Sequence, residues 1–325
     1  MQKLVSIIIP AYNCQQWISQ SIESALAQTW PNKEIIVVDD GSTDNTLSIA
    51  KRYESKSLKV VHQENRGAAA ARNTGLKLAQ GDYIQYLDAD DLLAPDKIEY
   101  QIRLSEEESN VVLFSSSFGI FYVSPKRAKF KPTSLWRDLP PSDWLCTKFK
   151  ENLWMNPAVW LVSRELTDLA GPWDERLSLD DDGEYFCRMI RFSKKIKFVE
   201  RAKVFYRQWD PGSLSRLKSD RACNSLLLSL KLCTKYLLDL EDSERTRRAC
   251  SQLIQTWASY FYGKEKLWAE ACNLVAEFGG DLSRPKLSWK YVPIKWAFGF
   301  RTARKIQSIV KANKLRTKLL VEKVL

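Results

Sequence analysis

The sequence predicts an α/β fold, a mostly parallel central sheet with helices on both faces, followed by a helical C-terminal region. Three observations carry this. Four short apolar, β-prone runs recur within the first 91 residues, with helical segments between them. Three of those runs end abruptly in polar or acidic residues, as strands do at the ligand-bearing edge of such a sheet. From Asp220 to about Phe278 the pattern stays helical, up to Gly279-Gly280.

The elements follow in order. Val5 to Ile9 reads as a buried strand ending at Pro10. Gln15 to Gln28 places Trp17, Ile18, Ile22, Ala25 and Leu26 at helical spacing. Glu34 to Val38 is a second strand, ending at Asp39-Asp40-Gly41-Ser42, and Thr43 or Asp44 caps a helix to about Tyr53. Leu58 to Val61 is a short third strand. Gly67 to Ala79 is an Ala-rich helix, stopped by Gly81 before a fourth strand. Glu99 to Glu108 reads as helix and Val111 to Val123 as β structure. Residues 124–152 mix Pro, Lys and Trp without period and read as loops around a cleft. Ala158 to Leu169 is a strand and a helix, Asp180 to Arg191 a helix with an acidic start, and Ile196 to Tyr206 a last strand. The expected organisation is a domain over 1–215 with halves 1–95 and 96–215, a helical extension over 216–283, and a basic aromatic tail over 284–325.

Charge separates the tail from the body. Residues 284–325 hold 12 Lys/Arg and one acid, Glu322, so the first 283 residues balance 38 basic against 38 acidic side chains. An electroneutral body argues against nucleic acid as a partner. No run of about 18 apolar residues suggests a spanning helix, and a strand-like run in place of a leader argues against a signal peptide. Seven cysteines without a Cys-x-x-Cys pair read as reduced thiols of a cytoplasmic protein.

The chemistry gathers at three loop ends: Pro10-Ala11-Tyr12-Asn13, Asp39-Asp40-Gly41-Ser42 and Asp88-Ala89-Asp90-Asp91. Three carboxylates in four positions repel unless a cation sits among them, and hard oxygen ligands suit Mg²⁺ or Mn²⁺ bridging to phosphate. The same residues also read as an acidic turn capping the helix that Pro95 opens. Asp39 and Asp40 suit a base or ribose hydroxyl, or an Asx-turn with Gly41. Neither G-x-G-x-x-G nor G-x-x-x-x-G-K-[ST] is present, so a glycine-rich phosphate cradle is not the design.

Val5-Ser6-Ile7-Ile8-Ile9-Pro10-Ala11-Tyr12-Asn13, Glu34 to Asp44, Asn65-Arg66-Gly67 with Ala71-Arg72-Asn73-Thr74-Gly75, and Tyr86-Leu87-Asp88-Ala89-Asp90-Asp91 resemble family 2 glycosyltransferases, densely over 3–95 and in patches to about 210. The resemblance implies the GT-A nucleotide-sugar-binding fold and an inverting, metal-dependent transfer from a nucleotide-sugar, a UDP-sugar in the first instance, to a glycan or lipid-linked acceptor. Pro10, Ala11 and Tyr12, with Asn13, would line the nucleoside pocket. Asp40, with Asp39 beside it, would receive the base, and Arg72 and Asn73 would face the diphosphate. Asp88-Ala89-Asp90 would be the Asp-x-Asp element, with Asp90 binding the metal, Asp88 contacting ribose or metal, and Asp91 helping.

The resemblance places no catalytic histidine, so the single histidine, His62, reads as structural and the base as a carboxylate, Lys, Tyr or Cys, with Asp180-Asp181-Asp182-Gly183-Glu184 the strongest candidate cluster. Trp173-Asp174-Glu175-Arg176 through Asp181-Asp182-Gly183-Glu184 to Arg188 resembles the acceptor region of the same family. Counting back six from Arg188 selects Asp182, with Asp181 as the alternative; the acids also suit a helix N-terminus. Trp136, Trp144, Trp154 and Trp160 suit either sugar faces or the core. In the tail, Trp289, Tyr291, Trp296, Phe298 and Phe300, with Lys/Arg and helical spacing through Ala303, Ile306, Ile309, Val310, Leu315, Leu319 and Leu320, suit the inner face of an anionic membrane, or packing on the body, or a partner. Two other functions fit less well. A nucleotidyltransferase would want a basic glycine-rich loop after the first strand, and a non-catalytic membrane-associated nucleotide-sugar-binding protein would lack Asp88, Asp90 and Asp182.

Overall fold

The first strand, β1 (Val5–Ala11), is buried at every position, as a parallel strand covered on both faces must be. The structure, a computed structural model, describes residues 2–208 and 219–285 and scattered positions of 289–310. Around β1 lie β2 (Lys33–Asp40), β3 (Leu58–Gln63), β4 (Tyr83–Tyr86) and β8 (Val162–Ser163), in the order β3-β2-β1-β4-β8. The first four run parallel and β8 is antiparallel. Helices α1 (Ile18–Leu26), α2 (Thr46–Lys51) and α3 (Ala68–Leu78) are the crossovers.

Alternation along β2 shows both faces covered. Ile36 and Val38 pack with Ala71 of α3, whereas Ile35 and Val37 join Ile18, Ile22 and Ala50 in the main core. Pro10 is tolerated inside β1 for a local reason. Ile8 turns its carbonyl toward the β4 side, where it accepts from Leu87 N at 3.0 Å. Pro10, two residues on, faces the same side beyond the last β4 pair, so its missing N–H interrupts no ladder.

A second sheet, not foreseen from the sequence, has the order β5-β9-β6-β7. It comprises β5 (Leu92–Leu93), β6 (Val112–Phe121), β7 (Lys129–Phe130) and β9 (Lys195–Arg207). Strands β6 and β9 pair in parallel along their length, with a register shift after Ser116, and Leu92 pairs with Phe205. This carries Tyr206 and Arg207 to the acidic turn that follows β4.

Residues 124–152 are not all loop, as the sequence reading had them. They contain α5 (Pro141–Glu151), which opens on Pro141 and buries Trp144, Leu145, Cys146 and Phe149. Proline costs nothing at the first helical position, so Pro140-Pro141 marks a start here and not a break. Next come α4 (Lys97–Ser105), α6 (Arg164–Ala170) and α7 (Asp181–Phe192). The long helical region resolves into α8 (Asp220–Leu240), α9 (Glu244–Phe261) and α10 (Glu265–Glu277); α8 packs on α7 and α9 on α5. All seven cysteines are free. In the tail Trp289, Trp296 and Phe298 are 77%, 82% and 70% exposed, while Ala303 is buried. Phe300, Leu315, Leu319 and Leu320 lie outside the described residues. No helix among the described residues is long and apolar enough to cross a membrane.

Helix α3 lies close on the sheet because Gly75 leaves room. A Cβ there would stand 2.4 Å from Ile8 Cγ2, a branched methyl held inside the core. Overpacking of this kind costs about 1–3 kcal/mol, against about 1 kcal/mol gained in helix propensity. Gly75→Ala is therefore expected to lower the urea midpoint of unfolding; a raised midpoint would contradict this packing.

Candidate active site

Parallel register sets the sheet edge that carries the candidate site residues. Ala11 is level with Asp39, and Asp39 with His62. Pro10 and Ala11 are buried strand residues, so of the first loop only Tyr12, about half exposed, and Asn13 offer side chains to the surface. Asn13 adopts a left-handed backbone (φ 48°). Its amide N donates to Ser42 Oγ at 3.0 Å and its Oδ1 accepts from Thr43 N at 2.8 Å, lacing the two loops together.

The two adjacent aspartates differ in their surroundings. Asp40 is consumed by the chain. Its Oδ1 accepts from Arg66 N (3.0 Å) and Gln63 Nε2 (2.7 Å), and its Oδ2 from Gly67 N (2.8 Å), at the entry to α3. The carboxylate thus fixes the backbone of Arg66 and Gly67 just before α3 and stands near the positive end of the helix dipole. Asp39 is also fully buried, but only its Oδ2 is engaged, by His62 Nδ1 at 2.8 Å and Ser42 N at 3.3 Å. Its Oδ1 is buried without a hydrogen-bond partner among the described residues. An unmatched acceptor of this kind costs about 1–3 kcal/mol. The group with an unspent acceptor is therefore Asp39, with His62 holding its other oxygen.

Helix α3 supplies Arg72 and Asn73, and the structure separates them too. Asn73 Nδ2 donates to Trp173 O and Glu175 Oε1, both at 2.9 Å, and its Oδ1 accepts from Trp173 N at 2.8 Å. Both ends of its amide tie α3 to segment 173–175. Arg72 is nearly buried and bridges two acids. Nη2 meets Asp88 Oδ1 and Nη1 meets Asp181 Oδ2, each at 2.8 Å. Its guanidinium lies 4.4 Å from the Trp173 ring centroid, and Trp173 stacks on Tyr185 of α7 at 3.9 Å. Burial works against the Arg72 charge, but Asp88 and Asp181 more than hold it on.

The acidic turn divides its three carboxylates. Asp91 is fully buried and accepts from Asn156 Nδ2 (2.6 Å) and Arg207 N (2.8 Å). Burial, then the charges of Asp90 and Asp88, push its carboxyl well above the usual range. Through Arg207 N, Asp91 anchors β9 to the turn after β4. Asp88 is turned to Arg72. Ala89 is buried, and Asp90 is half-buried, with its backbone carbonyl held by Arg207 Nε at 2.8 Å.

The other acidic group opens α7. Asp180 is left-handed (φ 61°) and is drawn to Ser229 of α8 at 2.6 Å. Gly183 is required beside it, since a Cβ would fall 2.2 Å from Asp180 Oδ1. Asp181 is held by Arg72. Asp182 forms no ion pair among the described residues, and its Oδ1 accepts from the neighbouring Gly183 N at 2.9 Å. Burial first, then the charges of Asp181 and Asp180, push its carboxyl up to about 7, with Arg72 opposing.

Among the described residues no group of three or more His, Cys, Asp or Glu side chains could hold a metal ion alone. The donor set here is the hard oxygens of Asp88 and Asp90. Mg²⁺ and Mn²⁺ sites that use one or two carboxylates and complete their sphere with substrate phosphates fit that set. Contacts by Trp173, Asn156 and Arg207 lay beyond sequence reasoning, because each joins residues more than 60 positions apart.

The description "Glycosyl transferase family 2" matches residues 6–161. Glycosyltransferase GlyG of Streptococcus pneumoniae is 32% identical over 234 residues, covering 68% of this chain and 75% of GlyG. WfaP of Escherichia coli, a UDP-Glc:alpha-D-GlcNAc-diphosphoundecaprenol beta-1,3-glucosyltransferase, is 47% identical over 116 residues, covering 35% of this chain and 45% of WfaP. Across other curated relatives the chain spans between 16% and 64% of their length. In three dimensions it resembles Staphylococcus aureus TarS 1–349 in complex with UDP-GlcNAc, with a TM-score of 0.67 at 19% identity, covering 84% of this chain and 81% of that one. That likeness shows the fold, GT-A with a helical C-terminal region.

Proposed function

This chain belongs to glycosyl transferase family 2, and on that premise we propose an inverting transfer from a UDP-sugar to a hydroxyl of a glycan or lipid-linked acceptor. The observation that carries the reading is the Arg72 bridge. It spans from Asp88, at the donor edge, to Asp181, beside the candidate base, with 2.8 Å contacts at both ends. Donor and acceptor chemistry thus fall within reach of one guanidinium.

Asp39, with Tyr12 and Asn13 at its rim, takes the base, and Arg72 is placed to meet the diphosphate. Asp182 is the base in preference to Asp181, because Asp181 is held by the arginine. It accepts the acceptor hydroxyl proton as the oxygen bonds to the anomeric carbon. The bond to the diphosphate breaks on the opposite face, so configuration inverts. Alignment of the two reactants supplies much of the rate. A divalent cation, Mg²⁺ or Mn²⁺, belongs to this reading; Asp90 with Asp88 would hold it, and when bound it offsets charge on the departing diphosphate. Support for a lipid-linked acceptor at the cytoplasmic membrane surface comes from the exposed Trp289, Trp296 and Phe298 among 12 basic residues. The donors named for WfaP and TarS, UDP-glucose and UDP-GlcNAc, are the first to test.

A base near 7 must lose its proton to work, so kcat/KM is expected to rise with pH through about 7 and then level. Asp182→Asn should cut turnover by about 10²–10⁴-fold, erase that limb and spare UDP affinity. An unchanged rate would reassign the base. For the tail, removal of residues 285–325 should abolish pelleting with anionic phosphatidylglycerol vesicles; equal pelleting of both forms would dismiss the membrane role.

A further inference from the structure

Of the four tryptophans between residues 115 and 160, three are used up in packing. Trp144 and Trp160 are buried and lie 5.5 Å apart, and Trp136 stacks on Phe198 at 5.8 Å. Trp154 is different: it is 45% exposed. Its position is nevertheless fixed. Its ring centroid lies 4.8 Å from that of Phe118 and 5.1 Å from that of Tyr206, the latter edge-on at 66°. Asn152 ends α5 in a left-handed conformation (φ 52°), and Leu153 N bonds back to Lys148 O at 3.0 Å. Two residues beyond the ring, fully buried Asn156 holds Asp91 at 2.6 Å. A large apolar ring is thus pinned from both sides and left facing solvent, at the expense of the hydrophobic gain its burial would bring.

The ring stands next to the acids of the site. Tyr206 precedes Arg207, whose amide is bonded to Asp91. Burial, then the charges of Asp91, Asp90, Asp88 and Asp182, keep the Tyr206 phenol protonated, so its hydroxyl can donate. Neither that hydroxyl nor the Trp154 indole N–H is bonded to another described residue. A flat apolar face bordered by two unspent polar groups matches a pyranose, whose C–H face stacks on a ring while its hydroxyls seek donors and acceptors.

We propose that Trp154, seated on Phe118 and Tyr206, is the subsite for the pyranose that carries the attacking hydroxyl. The acceptor sugar is assigned here, and not the donor sugar, because the nucleotide-side groups of the proposed function (Tyr12, Asp39, Arg72, Asp88) stand on α3 and at the ends of β1, β2 and β4. The platform is built from β6, β9 and the loop after α5, none of which supplies a nucleotide-side group. This deepens the glycosyltransfer reading and rests on it.

The test uses the full chain with UDP and Mn²⁺ on an array of immobilised pyranosides, including glucose, galactose, N-acetylglucosamine and rhamnose. Wild type, Trp154→Ala and Trp154→Phe are compared, with UDP affinity, UDP-sugar affinity and melting temperature measured for each. Capture of wild type on at least one pyranoside is expected. Trp154→Ala should weaken it about tenfold, Trp154→Phe should keep most of it, and the other three quantities should stay unchanged. Equal capture by wild type and Trp154→Ala would overturn the proposal, as would no capture by a chain that binds UDP. Loss of UDP-sugar affinity with UDP affinity intact would place the donor sugar on the ring and overturn it too. A wild-type chain that bound no UDP would remove the underlying reading and the proposal with it.

Discussion

The buried guanidinium of Arg72 is the point on which the rest of this site depends. It is shielded from water, stacked on Trp173 and paired at 2.8 Å with carboxylates from two distant parts of the chain. Removing one partner of such a buried arrangement costs about 3–5 kcal/mol, because the remaining charge is stranded. Asp88 and Asp181 are therefore held against α3 as a unit. The neighbouring Asn73 strengthens that unit by tying segment 173–175 to the same helix.

The acids that Arg72 does not neutralise give the site its chemistry. Asp91 answers the crowding by burial and hydrogen bonds to Asn156 and Arg207. Asp182 answers it by a carboxyl raised to about 7, the range a base needs near neutrality. Asp90 lies half-buried at the rim, beside the Arg72-paired Asp88, where the proposed divalent cation and diphosphate would sit. Under the proposed function, the clustering that reads as electrostatic tension in the isolated chain is complementarity to a cation-bound donor.

Most of the fold was legible where chemistry is local. The run Val5-Ser6-Ile7-Ile8-Ile9 and its counterparts at 34–38 and 58–61 announce parallel strands, and their polar ends announce the binding edge. What escaped depends on distance in the chain. The β6–β9 pairing joins segments some 80 residues apart, and α5 hid behind a proline pair that marks a helix start. Asp39 and Asp40 are indistinguishable as neighbours in sequence. Only the fold shows that the amides of Arg66 and Gly67, just before α3, engage Asp40 while Asp39 Oδ1 is buried without a hydrogen-bond partner among the described residues. The same limit applied to the tryptophans, since Trp154 differs from Trp144 and Trp160 only in what covers it.

In the proposed function, these acids act with a divalent cation to grip the diphosphate of an activated sugar. Calorimetric titration of UDP into the full chain, with and without Mn²⁺, tests this most directly. The account predicts binding that is strong with Mn²⁺ and lost when the ion is chelated. Equal affinity in the two conditions would contradict it.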